Sequence, residues 1–323
     1  MNFAKSALVA LLSAFTAMTS ASAADYPEKP VKVLVGFPAG QATDIIARRL
    51  AQHLSTALGQ SFYVENKPGA GAGLAADEAA RARPDGYTLL ATSSGPMAVN
   101  GWIYRNQRYD SVRDFYPLAL IGIFPLVMVV NSNSQFKNVT DLVNYAKRHP
   151  GAVNYASGGN GVTNHLVMEM FKRRAGINLS HVPYKGGVPA MADVVGGQVE
   201  VMFETVSIAG PLIRSGKLRP LAVASEGRVS TLPNVPTIAE SGFPGFRGDA
   251  WVGIVAPKSV PRPIADKLST EIVRISKTSE WINGMAEIGV IPKTMVPAEF
   301  NHFLRSEVAL WGEAVKAANV NMD

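Results

Sequence analysis

The sequence predicts an α/β protein of two lobes with a ligand cleft between them, each lobe a mainly parallel sheet flanked by helices. Short apolar runs alternate with helical patterns along the chain, an order typical of parallel strands joined by crossover helices. Two apolar segments, Leu118–Val130 and Ala250–Ala256, are suited to carry the chain between two sheets. We therefore assign residues 24–124 and 248–323 to lobe 1 and residues 125–247 to lobe 2.

The N-terminal segment, residues 1–23, has the pattern of a cleaved signal peptide. Lys5 supplies a positive charge, Ala7–Met18 is an apolar core, and Ala21-Ser22-Ala23 is a cleavage site of small residues. A retained transmembrane helix would need about 20 apolar residues, and serines and threonines interrupt this segment. We therefore expect export to the periplasm.

The cysteine content and the charge of the chain limit the kinds of chemistry and of binding partner that we expect. The chain contains no cysteine, so we expect neither disulfides nor thiol chemistry. Its formal net charge is +6, and the basic residues are scattered rather than clustered among aromatic residues. Because a nucleic-acid-binding surface would show such clusters, we expect no nucleic-acid partner. The mild positive charge is compatible with an acidic small molecule.

Lobe 1 begins with a strand, a loop and a helix that together suit an anion. The strand is Val31–Phe37, Gly40 permits an unusual turn, and Thr43 is placed to cap a helix that opens there. The first N–H groups of a helix have no partner within it, so they can bind an anion. Asp44 either complements the helix dipole or holds a loop, a water or a cationic group of the ligand. The other elements predicted here are strands Phe62–Glu65 and Tyr87–Ala91 and helix Leu74–Arg81.

Lobe 2 repeats this alternation, and the chain ends in helices. Pro125 interrupts the first crossing segment, which is too long for one ordinary strand. The strands predicted in lobe 2 are Val153–Ala156, Ser180–Pro183, Gln198–Phe203 and Leu218–Ala224, and the helices are Val139–Arg148, Thr163–Arg174, Pro189–Val195 and a short one around Pro236–Ser241. The final helices are Pro263–Ser276, Ser279–Ile288 and Pro297–Ala318.

Three loops at strand ends are the candidate binding elements, because ligands of open α/β sheets bind at the carboxyl ends of the strands. The loop from Ser157 to His165 is the richest, with hydroxyls, glycines and a helix start that together suit a carboxylate. His165 either donates a hydrogen bond to the ligand or is buried and satisfied by a backbone carbonyl. The predicted ligand-binding residues are Phe37, Gln41, Thr43, Asp44, Ser93, Ser94, Ser157, Gly159, Asn160, Thr163, His165, Tyr184 and Glu204.

The sequence carries none of the common catalytic or metal-binding motifs. It has no Gly-x-Ser-x-Gly, no His-Glu-x-x-His and no cysteine nucleophile, and of its five histidines only His165 has a partner at helical spacing, Glu169. The stretch Gly71–Ala76 formally matches a dinucleotide fingerprint, but Lys67-Pro68 separates it from its strand, and Thr92 stands where an acid is wanted. A glycine-rich turn that packs a helix on a sheet explains it better. We expect no catalytic residue, no metal and no cofactor.

The chain resembles the tripartite tricarboxylate transporter receptors, also called Bug proteins, which are periplasmic solute-binding proteins. The resemblance covers nearly the whole mature chain, in order and at the spacing of the family. The matching segments are Tyr26-Pro27-x-Lys29-Pro30, Thr43-Asp44, Val64–Gly71, Pro84–Leu90, Asn154–Ser157, His181–Gly186, Gly196–Val199, Leu232–Thr237 and Trp251.

The resemblance implies a type II periplasmic-binding-protein fold that closes on a small carboxylated acid, such as a di- or tricarboxylate or an aromatic acid. It implies that the loop Ser157–His165 holds one carboxylate and that Phe37–Asp44 and Thr92–Gly95 approach from the other lobe, partly through water. The implied partners are this acid and membrane permease subunits, for a monomeric receptor that is not an enzyme. A sensory module that docks on a receptor is the alternative, and an exported hydrolase is the third.

Two departures from the family pattern bear on specificity. Members usually have Pro-Gly-Gly-Gly-Thr-Asp where this chain has Ala39–Asp44, so Gln41 and Ala42 replace glycines. Members often have Asp-Asn where this chain has Glu204-Thr205. We expect both differences to affect ligand choice, and the sequence does not name the ligand.

Overall fold

The computed structural model describes residues 26–318, so the predicted signal peptide lies outside the described residues. The strands are β1 (Val31–Val35), β2 (Phe62–Asn66), β3 (Thr88–Ser93), β4 (Phe115–Phe124), β5 (Leu126–Asn131), β6 (Asn154–Ser157), β7 (Ser180–Pro183), β8 (Val201–Thr205), β9 (Leu218–Val223) and β10 (Ala250–Pro257). The helices are α1 (Ala42–Leu58), α2 (Gly73–Arg81), α3 (Asn100–Ile103), α4 (Val139–Arg148), α5 (Thr163–Ala175), α6 (Gly187–Val195), α7 (Val206–Arg214), α8 (Arg262–Ser276), α9 (Ser279–Glu287) and α10 (Pro297–Ala318).

The strands form two five-stranded sheets. Sheet 1 has the order β2-β1-β3-β10-β4, and sheet 2 has the order β7-β6-β8-β5-β9. In sheet 1, β1 runs parallel to β2 and β3, whereas β10 runs antiparallel to β3 and β4. In sheet 2, β6 runs parallel to β7 and β8, whereas β5 runs antiparallel to β8 and β9. Each sheet is therefore mixed, because β5 and β10, the strands that arrive from the other sheet, reverse the direction of pairing.

The predicted crossing segment around Pro125 proves to be two strands. β4 ends at Phe124 in sheet 1 and β5 begins at Leu126 in sheet 2. Proline has no N–H to give to a sheet, so the strand pairing stops there, and the Pro125 carbonyl accepts a hydrogen bond from the Val206 N–H. The chain returns at Ala250, the first residue of β10. The exact lobe boundaries that we assigned stay a prediction.

The apolar periodicity of the strands and helices matches their burial. β1 reads as a nearly continuous apolar run because both faces of a central parallel strand are covered. In α1 the buried stripe includes Ile46, Leu50 and Leu54, and this stripe packs against sheet 1. Within residues 26–318, no helix combines the length and apolar character that crossing a membrane requires.

The C-terminal helix α10 contacts the cores of both sheets. Its first half buries Phe300 beside Trp251 of sheet 1, and Gly253 of β10 makes room, since a Cβ there would lie 2.4 Å from the Phe300 ring. Its second half buries Trp311 in the core of sheet 2. The sequence prediction placed this helix wholly in lobe 1, so its contact with sheet 2 is a new finding.

The predicted short helix around Pro236–Ser241 is wrong, because this segment is a turn. Thr237 and Glu240 do exchange the two hydrogen bonds of a helical capping box. The chain then enters the left-handed region at Gly242, with φ of +104°, and Pro244 follows. A cap is formed, but the helix cannot continue.

Candidate ligand-binding cleft

A cavity of about 730 Å³ lies between the loops of the two sheets. Sheet 1 contributes the loops after β1, β2 and β3, and sheet 2 contributes the loop after β6 and the starts of α5, α6 and α7. The structure thus brings together all three predicted binding loops. The predicted site residues that line the cavity are Phe37, Gln41, Thr43, Ser93, Ser94, Asn160, Thr163 and Glu204.

The other predicted site residues are not among those that line the cavity. Tyr184 is one of them, and its hydroxyl donates a hydrogen bond to Asp193 of α6 at 2.6 Å. This bond raises the pKa of Tyr184 to about 12. The full group outside the lining is Asp44, Ser157, Gly159, His165 and Tyr184.

Helix starts supply the positive potential of the cavity. α1 begins at Ala42 and α5 begins at Thr163, and their N-cap residues, Gln41 and Val162, make no side-chain capping bond. The predicted capping roles of Thr43 and Thr163 are therefore wrong, because each threonine lies inside its helix. Since no side chain caps them, the first N–H groups of both helices remain available to an anion.

Ser157 holds the glycine-rich loop after β6 in place through hydrogen bonds. Its side chain is fully buried, and its Oγ exchanges hydrogen bonds with the backbone of Gly159 at 3.1 and 3.2 Å. The same Oγ lies 2.6 Å from Nε2 of His181. Asn164 adds a second brace, since its Oδ1 accepts the Gly158 N–H at 3.2 Å. The loop is thus held by hydrogen bonds between the side chains of Ser157 and Asn164 and its own backbone.

His165 is buried, as one of our two alternatives expected, but its Nδ1 binds a backbone N–H of this loop rather than a carbonyl. Its Nδ1 accepts the Gly161 N–H at 3.1 Å, so the ring neither donates to the cavity nor binds a carbonyl through this nitrogen. The ring stacks on His181 with 4.0 Å between centroids, and His181 stacks on Tyr155 at 4.7 Å. Burial, together with the neighbouring His181, lowers the pKa of His165 to about 4. His165 is therefore neutral at neutral pH.

Asp44 holds the first loop. Its carboxylate accepts hydrogen bonds from the Gly40 N–H at 2.8 Å, from Arg48 Nε at 3.0 Å and from Asn66 Nδ2 at 2.8 Å. Asn66 also donates to the carbonyl of Phe37, which ties the loop to β2. Burial opposes the charge of Asp44, but these bonds outweigh it and lower the pKa of the carboxyl. The contacts support the role of holding a loop, and the place of Asp44 in the first turn of α1 also suits the helix dipole.

The two residues that replace family glycines fit this loop without strain. Gln41 has φ of −77° and ψ of 160°, which any residue adopts, and Ala42 starts the helix. Only Gly40 has the positive φ, +83°, that favours glycine. Gln41 therefore adds an amide side chain to the cavity lining on an ordinary backbone path.

Among the described residues that line the cavity, Glu204 is the one acidic or basic side chain. It is 5% exposed, and its Oε1 accepts the Thr205 N–H at 2.7 Å, while Oε2 receives Asn164 Nδ2 at 3.4 Å. A Cβ on Gly187, the first residue of α6, would lie 2.5 Å from Oε2, so this glycine lets the carboxylate sit against the helix start. Burial raises the pKa of Glu204, although its hydrogen bonds oppose the shift.

The glycine-rich stretch after β2 is a packing turn. A Cβ on Gly36 would lie 2.4 Å from the Cβ of Ala72, so the turn approaches β1 closely. Gly71 adopts φ of +58° and lies against Asn100, which donates to the carbonyls of Ala70 and Gly71. The interpretation of this stretch as close packing is confirmed.

Sequence reasoning missed several residues that shape the site. Asn66 and Asn164 hold its loops through hydrogen bonds, and Gly187 leaves room for the carboxylate of Glu204. The only feature of the sequence that could have indicated the two asparagines is their position beside strand and helix ends. The apolar lining residues Val99, Ile103, Phe124, Leu126 and Ile208 gave no signal, because in sequence they read as ordinary core. Residues 26–318 contain no group of three or more His, Cys, Asp or Glu side chains that could hold a metal ion.

Comparisons with known proteins agree with this architecture. Residues 46–320 match the family model described as tripartite tricarboxylate transporter family receptor. The R. palustris protein Rpa4515, solved with adipate, is 33% identical, with a TM-score of 0.79 over 92% of this chain and 99% of its own. The periplasmic binding protein BugD is 34% identical, with a TM-score of 0.75 over 92% of this chain and 100% of its own.

MatC (Rpa3494) from Rhodopseudomonas palustris, solved with bound malate, is 30% identical, with a TM-score of 0.74 over 90% of this chain and 100% of its own. These matches span nearly the full length of both partners. The predicted two-lobed periplasmic-binding-protein fold is thereby confirmed.

Proposed function

The chain belongs to the tripartite tricarboxylate transporter receptor family, a family of periplasmic solute-binding proteins, and on that premise we propose that it captures a small carboxylated organic acid in its cleft. One observation carries the proposal: the uncapped starts of α1 and α5 meet at one cavity. The hydroxyls of Ser93, Ser94 and Thr163 line the same cavity. Backbone N–H groups and hydroxyls together are well suited to a carboxylate.

The structures solved with adipate and malate support this ligand class, because each belongs to a protein at least 30% identical to this chain. We infer the other family roles with it: export to the periplasm, and delivery of the acid to membrane permease subunits by closure of the two lobes. A receptor with these roles binds its ligand and releases it unchanged. Sensory signalling through a receptor remains the second role that this fold serves.

Isothermal titration with mono-, di- and tricarboxylates, aromatic acids, sugars and amines tests the proposal. We expect at least one carboxylate to bind and the sugars to be inert. Thr163→Val removes a hydroxyl from the lining while keeping the shape of the side chain, and we expect at least tenfold weaker binding. Thr56→Val, on the exposed part of α1 far along the helix, is the matched control and should leave affinity unchanged. Binding of sugars or neutral amines alone would contradict the proposal.

A further inference from the structure

The cavity has an unusual charge balance for a site that binds an acid. Among the described residues that line it, there is no lysine, arginine or histidine, and Glu204 is the one carboxylate. The positive potential comes from helix starts, which act over a short range. An acid that enters this cavity therefore meets an acidic side chain and no cationic one among the described residues.

Glu204 has donors but no counter-charge. A backbone N–H and a side-chain amide reach its two oxygens, so both oxygens act as acceptors. The interactions that affect its pKa include no cationic side chain, and burial opposes its charge. A buried carboxylate of this kind gains most from a ligand group that brings a positive charge or a strong donor.

The start of α5 and Glu204 lie side by side in the cavity, because Asn164, the residue after Thr163, donates to Glu204 Oε2 at 3.4 Å. Thr163 and the start of α5 present N–H and hydroxyl donors, which suit a carboxylate. Glu204 lies against the start of α6, so the positive end of that helix dipole stabilises a charge on Glu204 itself. A second ligand carboxylate placed near Glu204 would oppose the ionisation of this buried acid further, because like charges repel.

We propose that Glu204 makes this cleft select an organic acid that carries a cationic or hydroxyl donor in addition to its carboxylate, in preference to a fully ionised dicarboxylate. The inference rests on the proposed capture of a carboxylated acid and specifies its second functional group. It also separates this chain from the adipate- and malate-bound proteins, whose ligands carry two carboxylates.

The test uses pairs of probes of matched length: adipate against 6-aminohexanoate, and succinate against 4-aminobutanoate. Each pair exchanges one carboxylate for an ammonium group on the same carbon skeleton. For the unaltered protein, titration calorimetry should give at least tenfold tighter binding of the amino acid in the pair that fits the cavity. 6-Hydroxyhexanoate, a neutral donor, should fall between the two.

Glu204→Gln keeps the size of the side chain and removes its charge. We expect this variant to bind the amino acid at least tenfold more weakly and the dicarboxylate more tightly, which reverses the preference. Glu226→Gln is the matched control, because Glu226 is exposed and lies outside the lining, and it should keep the original preference.

The outcomes distinguish this inference from the function on which it rests. Tighter binding of the dicarboxylate by the unaltered protein, or an unchanged preference in Glu204→Gln, overturns the role of Glu204 while leaving carboxylate capture intact. Failure of every acid, including other chain lengths and aromatic acids, overturns both. The comparison within the unaltered protein decides the matter even if Glu204→Gln does not fold.

Discussion

The stacked pair of His165 and His181 should make the protein lose stability as the pH falls from about 6.5 to about 4. In the folded chain the pKa of His165 is lowered to about 4, from 6.5 for a free histidine, so between these values the unfolded chain binds more protons. Stability therefore decreases as the pH decreases through this window. The difference of about 2.5 units corresponds to about 3 kcal/mol, and the pKa of His181 is lowered in the same direction.

The groups around the ring support this sign. Burial and His181 oppose a charge on His165, Lys172 opposes it further, and Glu169 favours it less than the others disfavour it. Tyr155 stacks on His181, with its ring centroid 6.2 Å from that of His165, and donates its hydroxyl to Glu169. A protonated His165 would also lose the Gly161 N–H as a partner, because its Nδ1 would then carry a proton.

Urea unfolding at pH 7 and pH 4.5 measures this effect. His165→Asn keeps an acceptor near the Gly161 N–H but does not titrate in this range, so its loss of stability between the two pH values should be smaller than that of the unaltered protein by about 2 kcal/mol. His302→Asn, at an exposed position on α10, is the control and should behave as the unaltered protein does. Equal acid losses in His165→Asn and the unaltered protein would refute the reasoning.

Two further substitutions follow from close contacts. Gly187→Ala places a Cβ 2.5 Å from Glu204 Oε2. We expect this variant to lose about 1 kcal/mol of stability and to bind 6-aminohexanoate at least tenfold more weakly, both measured by calorimetry. Gly227→Ala is the control, because the space around its Cβ is open, and it should change neither result. Glu307→Gln removes the buried carboxylate to which Trp251, Trp311 and Arg247 donate. We expect it to lower the free energy of unfolding in urea by about 3–5 kcal/mol. Glu313→Gln, on the exposed face of α10, is the control and should lower it by less than about 0.5 kcal/mol.

The elements that sequence predicted best are those whose local signals agree with their packing. Helix α4, from Val139 to Arg148, was predicted with its observed ends, because Asn138 caps it and its apolar stripe is regular. The packing of a helix across both sheets could not be predicted as well. Pro125 marked the break between β4 and β5, but the contact of Trp311 with the core of sheet 2 depends on distant residues that no local pattern shows.

The candidate site was predicted at the level of loops and less well at the level of atoms. The loops converge because the carboxyl ends of parallel strands share an edge of each sheet. The directions of side chains in the loop after β6 depend on positive φ at Gly159 and Gly161, +135° and +74°, and not on any periodicity. For this reason the sequence could not show that Ser157 and His165 form hydrogen bonds with the backbone of this loop.

Asp44 and Glu204 show which part of a site a sequence can reveal. Both are acidic, both are buried beside the cleft, and both accept hydrogen bonds from backbone N–H groups. Asp44 has Arg48 one helical turn away, a spacing that is visible in the sequence and that predicts an ion pair within the fold. Glu204 has no basic residue within four positions on either side, and the interactions that affect its pKa are hydrogen bonds from Thr205 and Asn164 without a cationic side chain. A buried acid that the fold leaves without a counter-charge is one whose charge the ligand can balance, so the search for specificity begins with Glu204 rather than with Asp44.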